Sequence, residues 1–501
     1  MSIDSKLCSG IRQNFEDGSQ PSNAEILANS ATRRSFFRSM SGGVCGAALA
    51  NLFVQDGLLA AGPEARHDLS PKRAHHPAKA KSIIQLFMNG GPSQMDLFDP
   101  KPELERYAGK SYPGSVEEIG NVNTNEVGAL MGSAFKFARR GQSGMWISDA
   151  MPHLAGVIDE LCFVHSLWTD HPNHDNALYK IHTGQLFMGH PSLGSWVTYG
   201  LGTENHDLPA YVVLDDPRGL PKNGVRNWTS AYLPPVYQGT RFRSVGDPIL
   251  NLKPEYEQPS GVAEAAQQLL KQLDSRHREK RPGYLELDAR IDSYALAARM
   301  QLTASDVLDI SQESEQTQAA YGVGQKVTNS YGKRCLLARR LVERGVRVVQ
   351  IFLEDQPWDN HSNLKGTLES ACQRTDQPVA ALIRDLKQRG LLDSTLVVWG
   401  GEFGRTPTSQ RMGTDYTGRD HNMQGFTSWM AGGGVKAGFS YGETDELGHA
   451  ATVNRVSVPD FHATILHAVG LHHQKLNFDR NGLNERLTGL KEPRVVNELF
   501  S

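Results

Sequence analysis

Short apolar runs, each closed by glycine or a polar loop, recur along the chain and alternate with longer stretches whose apolar residues repeat at helical spacing. Residues 82–88, 161–167, 210–214, 346–353, 394–399 and 426–430 read as strands, because they are rich in apolar and β-branched residues and too short for helices. Residues 175–182, 262–273, 284–304, 330–344, 366–389 and 459–469 read as helices. Asn173 or Asp175 is placed to cap the first of these and Gly184 to end it. Strands alternating with helices predict an α/β domain built on a mostly parallel, doubly wound sheet flanked by helices. Residues 218–256, rich in Pro, Gly and aromatics without a sustained period, and the helical patterns after them predict a helical and loop insertion over about residues 215–345.

Within this pattern, LLDSTLVVWGGEFGRTP over 391–407 stands out, since a strand ends in Gly400 and Gly401 and then exposes Glu402 and Arg405. Open α/β sheets bind ligands at the carboxyl ends of their strands. Three other junctions collect ligand-type residues: NGGPSQMDLFD over 89–99, HSLWTDHPNHDNALYKIHTG over 165–184, and WDNHSN over 358–363. GRDHN over 418–422 joins the Glu402 segment. A parallel sheet brings all of these to one edge, and their carboxylates and imidazoles suit zinc, manganese or iron, with calcium or magnesium for a carboxylate-rich variant. His361 and His421 each lie within two residues of an aspartate, which sets them apart from His153, His190 and His449.

Charge and composition narrow the partners. Lys and Arg number 52 against 55 Asp and Glu, a formal charge of -3, so no global field favours nucleic acid and any anion is held locally. No apolar run approaches the roughly 20 residues needed to cross a bilayer. Arg33-Arg34-Ser35-Phe36-Phe37-Arg38, followed by a Gly/Ala-rich stretch, reads as a twin-arginine export motif, with residues 1–62 as the signal region and 63–81 as a linker to a domain over 82–501. This implies passage through the twin-arginine machinery to a periplasmic or extracellular location, with an uncleaved anchor left open. Cys162, Cys335 and Cys372 are scattered and form no disulfide or zinc-finger pattern.

The motifs RRSFFR, GGPSQMDLFDPKP, HPNHDNALYKIHTG, WDNHSN, DLKQRGLLDSTLVVWGGEFGRTP, GRDHN and MAGGGVKAG, spread over residues 30–490, resemble the alkaline phosphatase and sulfatase superfamily. They resemble more closely a bacterial family of domains of unknown function placed near the sulfatases. The resemblance implies an alkaline-phosphatase-like fold and a divalent metal ion, zinc, manganese or calcium, held by Asp96, Asp359, His361, Glu402, Asp420 and His421. Glu402-Phe403-Gly404 stands where the superfamily has Asp-His-Gly, so one carboxylate is kept and a histidine lost. The nucleophile of these enzymes lies nine residues before a Thr-Gly pair, and counting back from Thr183 reaches His174. His174 is thus a metal ligand or a nucleophile through its imidazole nitrogen. The Cys-x-Pro-Ser-Arg signature of sulfatases is missing, which excludes a formylglycine mechanism.

Two roles are open for Arg405: it orients an anionic group, or its salt bridge stiffens the Glu402 loop. His171, Asp170 and Asp175 are candidates for acid or base work. His171, Asn173, Arg218, Asn227 and Trp228 are candidates for substrate binding, the last three with ordinary loop packing as the alternative. The function implied is a metal-dependent hydrolase of sulfate or phosphate esters, with an anionic ester or sulfated polysaccharide as substrate. A non-catalytic binding protein on the same fold is the competing expectation.

Overall fold

The strands read from the sequence all form. The structure is a computed structural model that describes residues 68–115, 124–243, 261–281 and 284–501. The twin-arginine motif and the rest of the expected signal region lie outside the described residues. Along the chain the main strands are β1 (Ser82–Phe87), β2 (Val127–Leu130), β3 (Leu161–Trp168), β4 (Tyr211–Leu214), β5 (Thr240–Phe242) and β6 (Val348–Ile351). They continue with β7 (Thr395–Gly400), β8 (Gly404–Met412), β9 (Asp415–Asn422), β10 (Phe426–Ala431), β11 (Phe439–Tyr441) and β12 (Val456–Ser457). The main helices are α1 (His174–Thr183), α2 (Leu193–Leu201), α3 (Val262–Glu279), α4 (Leu285–Leu308), α5 (Asn329–Glu343), α6 (Leu364–Gln388) and α7 (Val458–Ala468).

The central sheet has the order β11-β3-β10-β7-β1-β6-β4-β5, with β12 beside β3. Pairing is parallel throughout except for β10, which runs against both β3 and β7. Alternation along β1 divides its side chains between two cores. Ile84 and Leu86 join Val397, Trp399 and the α5 and α6 residues Leu336, Leu341, Leu382 and Ile383 on one face. Ile83 and Phe87 join Val398 and the α1, α2 and α7 residues Leu178, Trp196 and Phe461 on the other. Burial on both faces is why the central strands read as continuous apolar runs. The result is a three-layer α/β fold around a mostly parallel sheet, as the alternating pattern predicts.

Two features add to the sequence reading. Residues 404–422, to which the sequence pattern assigns no element, form the hairpin β8–β9, which pairs with β2 in a separate antiparallel sheet. Residues 68–81, read as a linker, lie along the domain, with Lys72 N bonded to Leu201 O at 2.9 Å and Ala80 N to Ala468 O at 2.8 Å. Among the described residues, no helix is long and apolar enough to cross a membrane.

Candidate metal centre

Because β1, β3, β6 and β7 run parallel, the four loops that leave their carboxyl ends meet. They carry Gly90, His174, Asp359 and Glu402 respectively. The contact is backbone to backbone: Gly90 has a φ of 116°, and a Cβ there would lie 2.5 Å from the Asp359 amide nitrogen. Asn89 braces the β6 loop from below, its side chain donating to Leu353 O at 3.2 Å and accepting from Leu353 N at 3.3 Å. The β8–β9 hairpin closes the remaining side with Arg405, Gln410, Arg419 and His421.

At the meeting point, one ligand atom each from His174, Asp359, His361 and His421 lies within 4.8 Å of the others. Asp359 Oδ1 is the hub, with Nε2 of His174 at 3.3 Å, of His361 at 2.8 Å and of His421 at 3.2 Å. Each ring is fixed from its far side. His174 Nδ1 bonds Glu402 Oε1 at 2.7 Å, His421 Nδ1 bonds Pro172 O at 2.8 Å, and His361 Nδ1 bonds Gln410 Oε1. An acceptor at Nδ1 places the proton there and leaves Nε2 as a lone pair, the arrangement that orients histidines toward a metal. His174 Nε2 is buried and makes no hydrogen bond in good geometry. Three nitrogen donors and a carboxylate oxygen with one buried, unsatisfied nitrogen fit a divalent cation.

The electrostatics favour the donor form of Asp359 and His421, and without a cation they favour the proton on His174. Burial alone would raise the Asp359 carboxyl, but Arg405 at 2.6 Å and the three histidines hold it well below the usual carboxylate range. Burial pushes His421 down to about 3 against the pull of Asp359, so its ring is neutral at pH 7. For His174, burial opposes the charge, yet the adjacent Asp359 carboxylate and the hydrogen bond to Glu402 outweigh it and raise the ring above its ordinary value.

The other expected site residues fall into three groups. Glu402 is fully buried and next to the cluster, but it accepts from Gly90 N at 3.0 Å and from His174, so it orients a ligand and is not one of the four converging groups. Asp96, expected as a ligand, lies outside the cluster. Its oxygens take Arg419 Nε at 2.8 Å, Ser133 Oγ at 3.0 Å and Ala134 N at 3.0 Å, a buried ion pair that ties the segment after β1 to the hairpin. Asp420 accepts from His421 N at 2.7 Å and reaches His361 Nδ1 only at 4.0 Å. Adjacent residues on a strand point to opposite faces, which separates Asp420 from His421. Arg405 is fully buried, its guanidinium bonded to Gly90 O, Gly91 O, Trp358 O, Arg419 O and Asp359. Those contacts tie the Gly90 and Asp359 loops to the hairpin that carries Arg405.

His171 and Asn173 lie at the mouth, on the loop before His174. Asn173 caps α1 by accepting from Asp175 N at 2.9 Å, and His171 accepts from Asn173 N at 3.0 Å. Arg218 is 53% exposed but pairs with Asp216 and Glu354. Asn227 and Trp228 are buried, Trp228 against Phe352 with ring centroids 5.4 Å apart, which is the packing alternative. Gln410, Pro172 O and Arg419 were not read as site residues. A neutral amide and a backbone carbonyl carry no sequence signal, whereas Arg419 stands inside the GRDHN motif.

A three-layer α/β fold with a histidine and carboxylate cluster at the sheet's carboxyl edge defines the class. The chain belongs to the family described as "Protein of unknown function (DUF1501)", whose model matches residues 80–500. No curated protein matches it. Among solved structures it is similar to the lipoteichoic acid synthase LtaP from Listeria monocytogenes, with 10% identity, 80% of this chain and 76% of that chain covered and a TM-score of 0.36. The PsFucS1 sulfatase from Pseudoalteromonas sp. shows 12% identity, 84% and 70% coverage and a TM-score of 0.31. The phosphonate monoester hydrolase of Agrobacterium radiobacter shows 12% identity, 83% and 77% coverage and a TM-score of 0.33. At such scores these likenesses carry no weight for the chemistry, which rests on the side chains.

Proposed function

We propose that the protein is an exported, metal-dependent hydrolase of a sulfate or phosphate ester, with one divalent cation held by His174, Asp359, His361 and His421. The observation that carries this reading is the convergence of three Nε2 atoms on Asp359 Oδ1, each ring anchored through Nδ1. The donors favour zinc or manganese over calcium, which takes about 6–8 oxygen ligands. A divalent cation supplies positive charge against developing negative charge and makes water more acidic. The chain's own groups do the rest. Glu402 and Gln410 hold the rings in place, Asp359 balances the charge, and Arg405 locks the loops that present it. His171 and Asn173 at the mouth, with the first N–H groups of α1 behind them, favour an anionic group. Export is supported by the RRSFFR motif.

A metal-binding protein without turnover is the second reading, favoured by the Phe403 ring, which packs 4.8 Å from His174 and 4.6 Å from His421. Metal-loaded full-length protein tested on aryl sulfates, phosphomonoesters and phosphodiesters separates the two. Turnover of one ester class, reduced at least roughly a hundredfold in Asp359→Asn, is the expected result. Bound metal with no turnover of any class decides for the second reading.

A further inference from the structure

The three histidines of the cluster are not fixed by equivalent groups. His174 Nδ1 meets the Glu402 carboxylate and His421 Nδ1 meets the Pro172 carbonyl, and both of these can only accept a hydrogen bond. His361 Nδ1 meets Gln410, whose amide can present either its oxygen or its nitrogen. With the oxygen turned to it, Nδ1 carries the proton and Nε2, 2.8 Å from Asp359 Oδ1, keeps its lone pair; with the nitrogen turned to it, the reverse holds. Asp420 Oδ1 stands 4.0 Å from Nδ1, beyond hydrogen-bond reach, so it does not decide the matter.

Glu126 does. Gln410 Nε2 donates to Glu126 Oε2 at 2.9 Å, and an ionised carboxylate has acceptors only, so it takes the nitrogen end of the amide and turns the oxygen end to His361. The backbone brings the three residues together. Glu126 closes a short helical turn over Thr124–Glu126 just before β2, and the next residue, Val127, pairs with Gln410 of β8. Gly128 lets β2 come close at this point, since a Cβ there would lie 2.8 Å from Ser409 O. On the other flank Gln410 faces Gly418 of β9, and a Cβ on Gly418 would run into the His361 carbonyl. Two residues without side chains thus flank the buried Gln410, one toward the Glu126 segment and one toward the His361 loop.

We propose that Glu126 is a positioning residue of the metal centre: by holding the amide nitrogen of Gln410 it keeps the amide oxygen on His361 Nδ1 and leaves Nε2 free for the cation. The consequence for metal rests on the reading of the cluster as a metal centre, whereas the position of the ring proton is read without metal. If Glu126 acts by orienting the amide, a carboxylate at position 410 makes it dispensable, because a carboxylate offers an acceptor whichever way it turns. E126A/Q410E also keeps the charge of the wild type. The test compares full-length wild type, Glu126→Ala and E126A/Q410E by calorimetric zinc titration and, metal-free, by NMR of the histidine ring nitrogens, with His361 assigned by its absence in His361→Gln. Expected is a proton on His361 Nδ1 in the wild type and in the double variant. In Glu126→Ala the proton spreads to Nε2, where Asp359 accepts it, and zinc affinity falls by about 10–100-fold, most of which the double variant recovers. Glu126→Gln, which keeps the size and admits both amide orientations, shows the same shift in smaller measure. A role confined to bracing β2 against β8 predicts a loss that Gln410→Glu does not repair. The proposal is overturned if Glu126→Ala keeps the proton on Nδ1 or binds zinc as tightly as a zinc-binding wild type, or if the double variant is no better than Glu126→Ala. A wild type that takes up no zinc sinks the metal reading instead, and the ring proton then decides the proposal alone.

Discussion

Glu402 and Asp96 are both fully buried carboxylates placed just beyond strand ends, and their hydrogen bonds give them different work. Glu402 reaches the cluster only through His174, so Glu402→Gln should lower metal affinity by about 10–100-fold while leaving a competent donor set. Asp96 holds Arg419, so Asp96→Ala should leave metal affinity nearly unchanged yet destabilise the fold by about 3–5 kcal/mol, since it strands a buried guanidinium. Metal titration and urea denaturation of the two variants read the contrast, and the reverse pattern would exchange the roles. His361, His421 and Asp359 were legible in the sequence because each sits in a short cluster of ligand types next to a strand end. The sequence cannot tell whether a carboxylate's oxygens are already taken, so Asp96, Glu402 and Asp420 read alike as ligands. Gln410 and the Pro172 carbonyl, which orient two of the histidines, look like any strand amide and any loop.

At the scale of elements, the loop after β1 works because Gly90 has no side chain. Its φ of 116° and the 2.5 Å between a built Cβ and Asp359 N leave no room for alanine. Gly90→Ala should push the Asp359 loop outward, costing about 1–3 kcal/mol of stability and most of the metal affinity; calorimetric metal titration reads the second effect. Across the layer between α1 and α7, burial and mutual repulsion push His182 down to about 3, and burial pushes His462 down to about 4. Both folded values lie below the ordinary 6.5, so the unfolded chain binds more protons between them. The stability they contribute is therefore present above pH 6.5 and lost as pH falls toward 3 to 4. Each histidine steepens the fall by up to about 1.4 kcal/mol per pH unit. His462→Gln retains a donor for Ile181 O, which His462 Nε2 contacts at 2.8 Å, and should flatten the denaturation profile between pH 6.5 and 4 by close to one proton. An unchanged slope would mean that His462 titrates normally in the folded state. The helices and buried strands were legible from periodicity. The β8–β9 hairpin was not, because RTPTSQRM and DYTGRDHN are polar strands on a separate small sheet and lack an apolar face.

For the whole molecule, chain alternation told of a mostly parallel sheet, and the parallel sheet told that the ligand clusters would meet. Loops at 90, 174, 359 and 402 are far apart in sequence yet leave the same edge of four parallel strands, and the structure brings them into contact. What alternation could not reveal is the reversed strand β10. A short apolar run reads the same in either direction, so its antiparallel pairing with β3 and β7 leaves no mark in the pattern. We propose that this convergence holds one divalent cation through three histidines and one aspartate. The most direct test is the metal content of purified full-length protein after incubation with zinc or manganese and exhaustive dialysis, measured beside Asp359→Ala and Asp96→Ala. Close to one metal per chain is expected in the wild type and in Asp96→Ala, and close to none in Asp359→Ala. A wild type that retains no metal, or an Asp359→Ala variant that retains as much as the wild type, would contradict it.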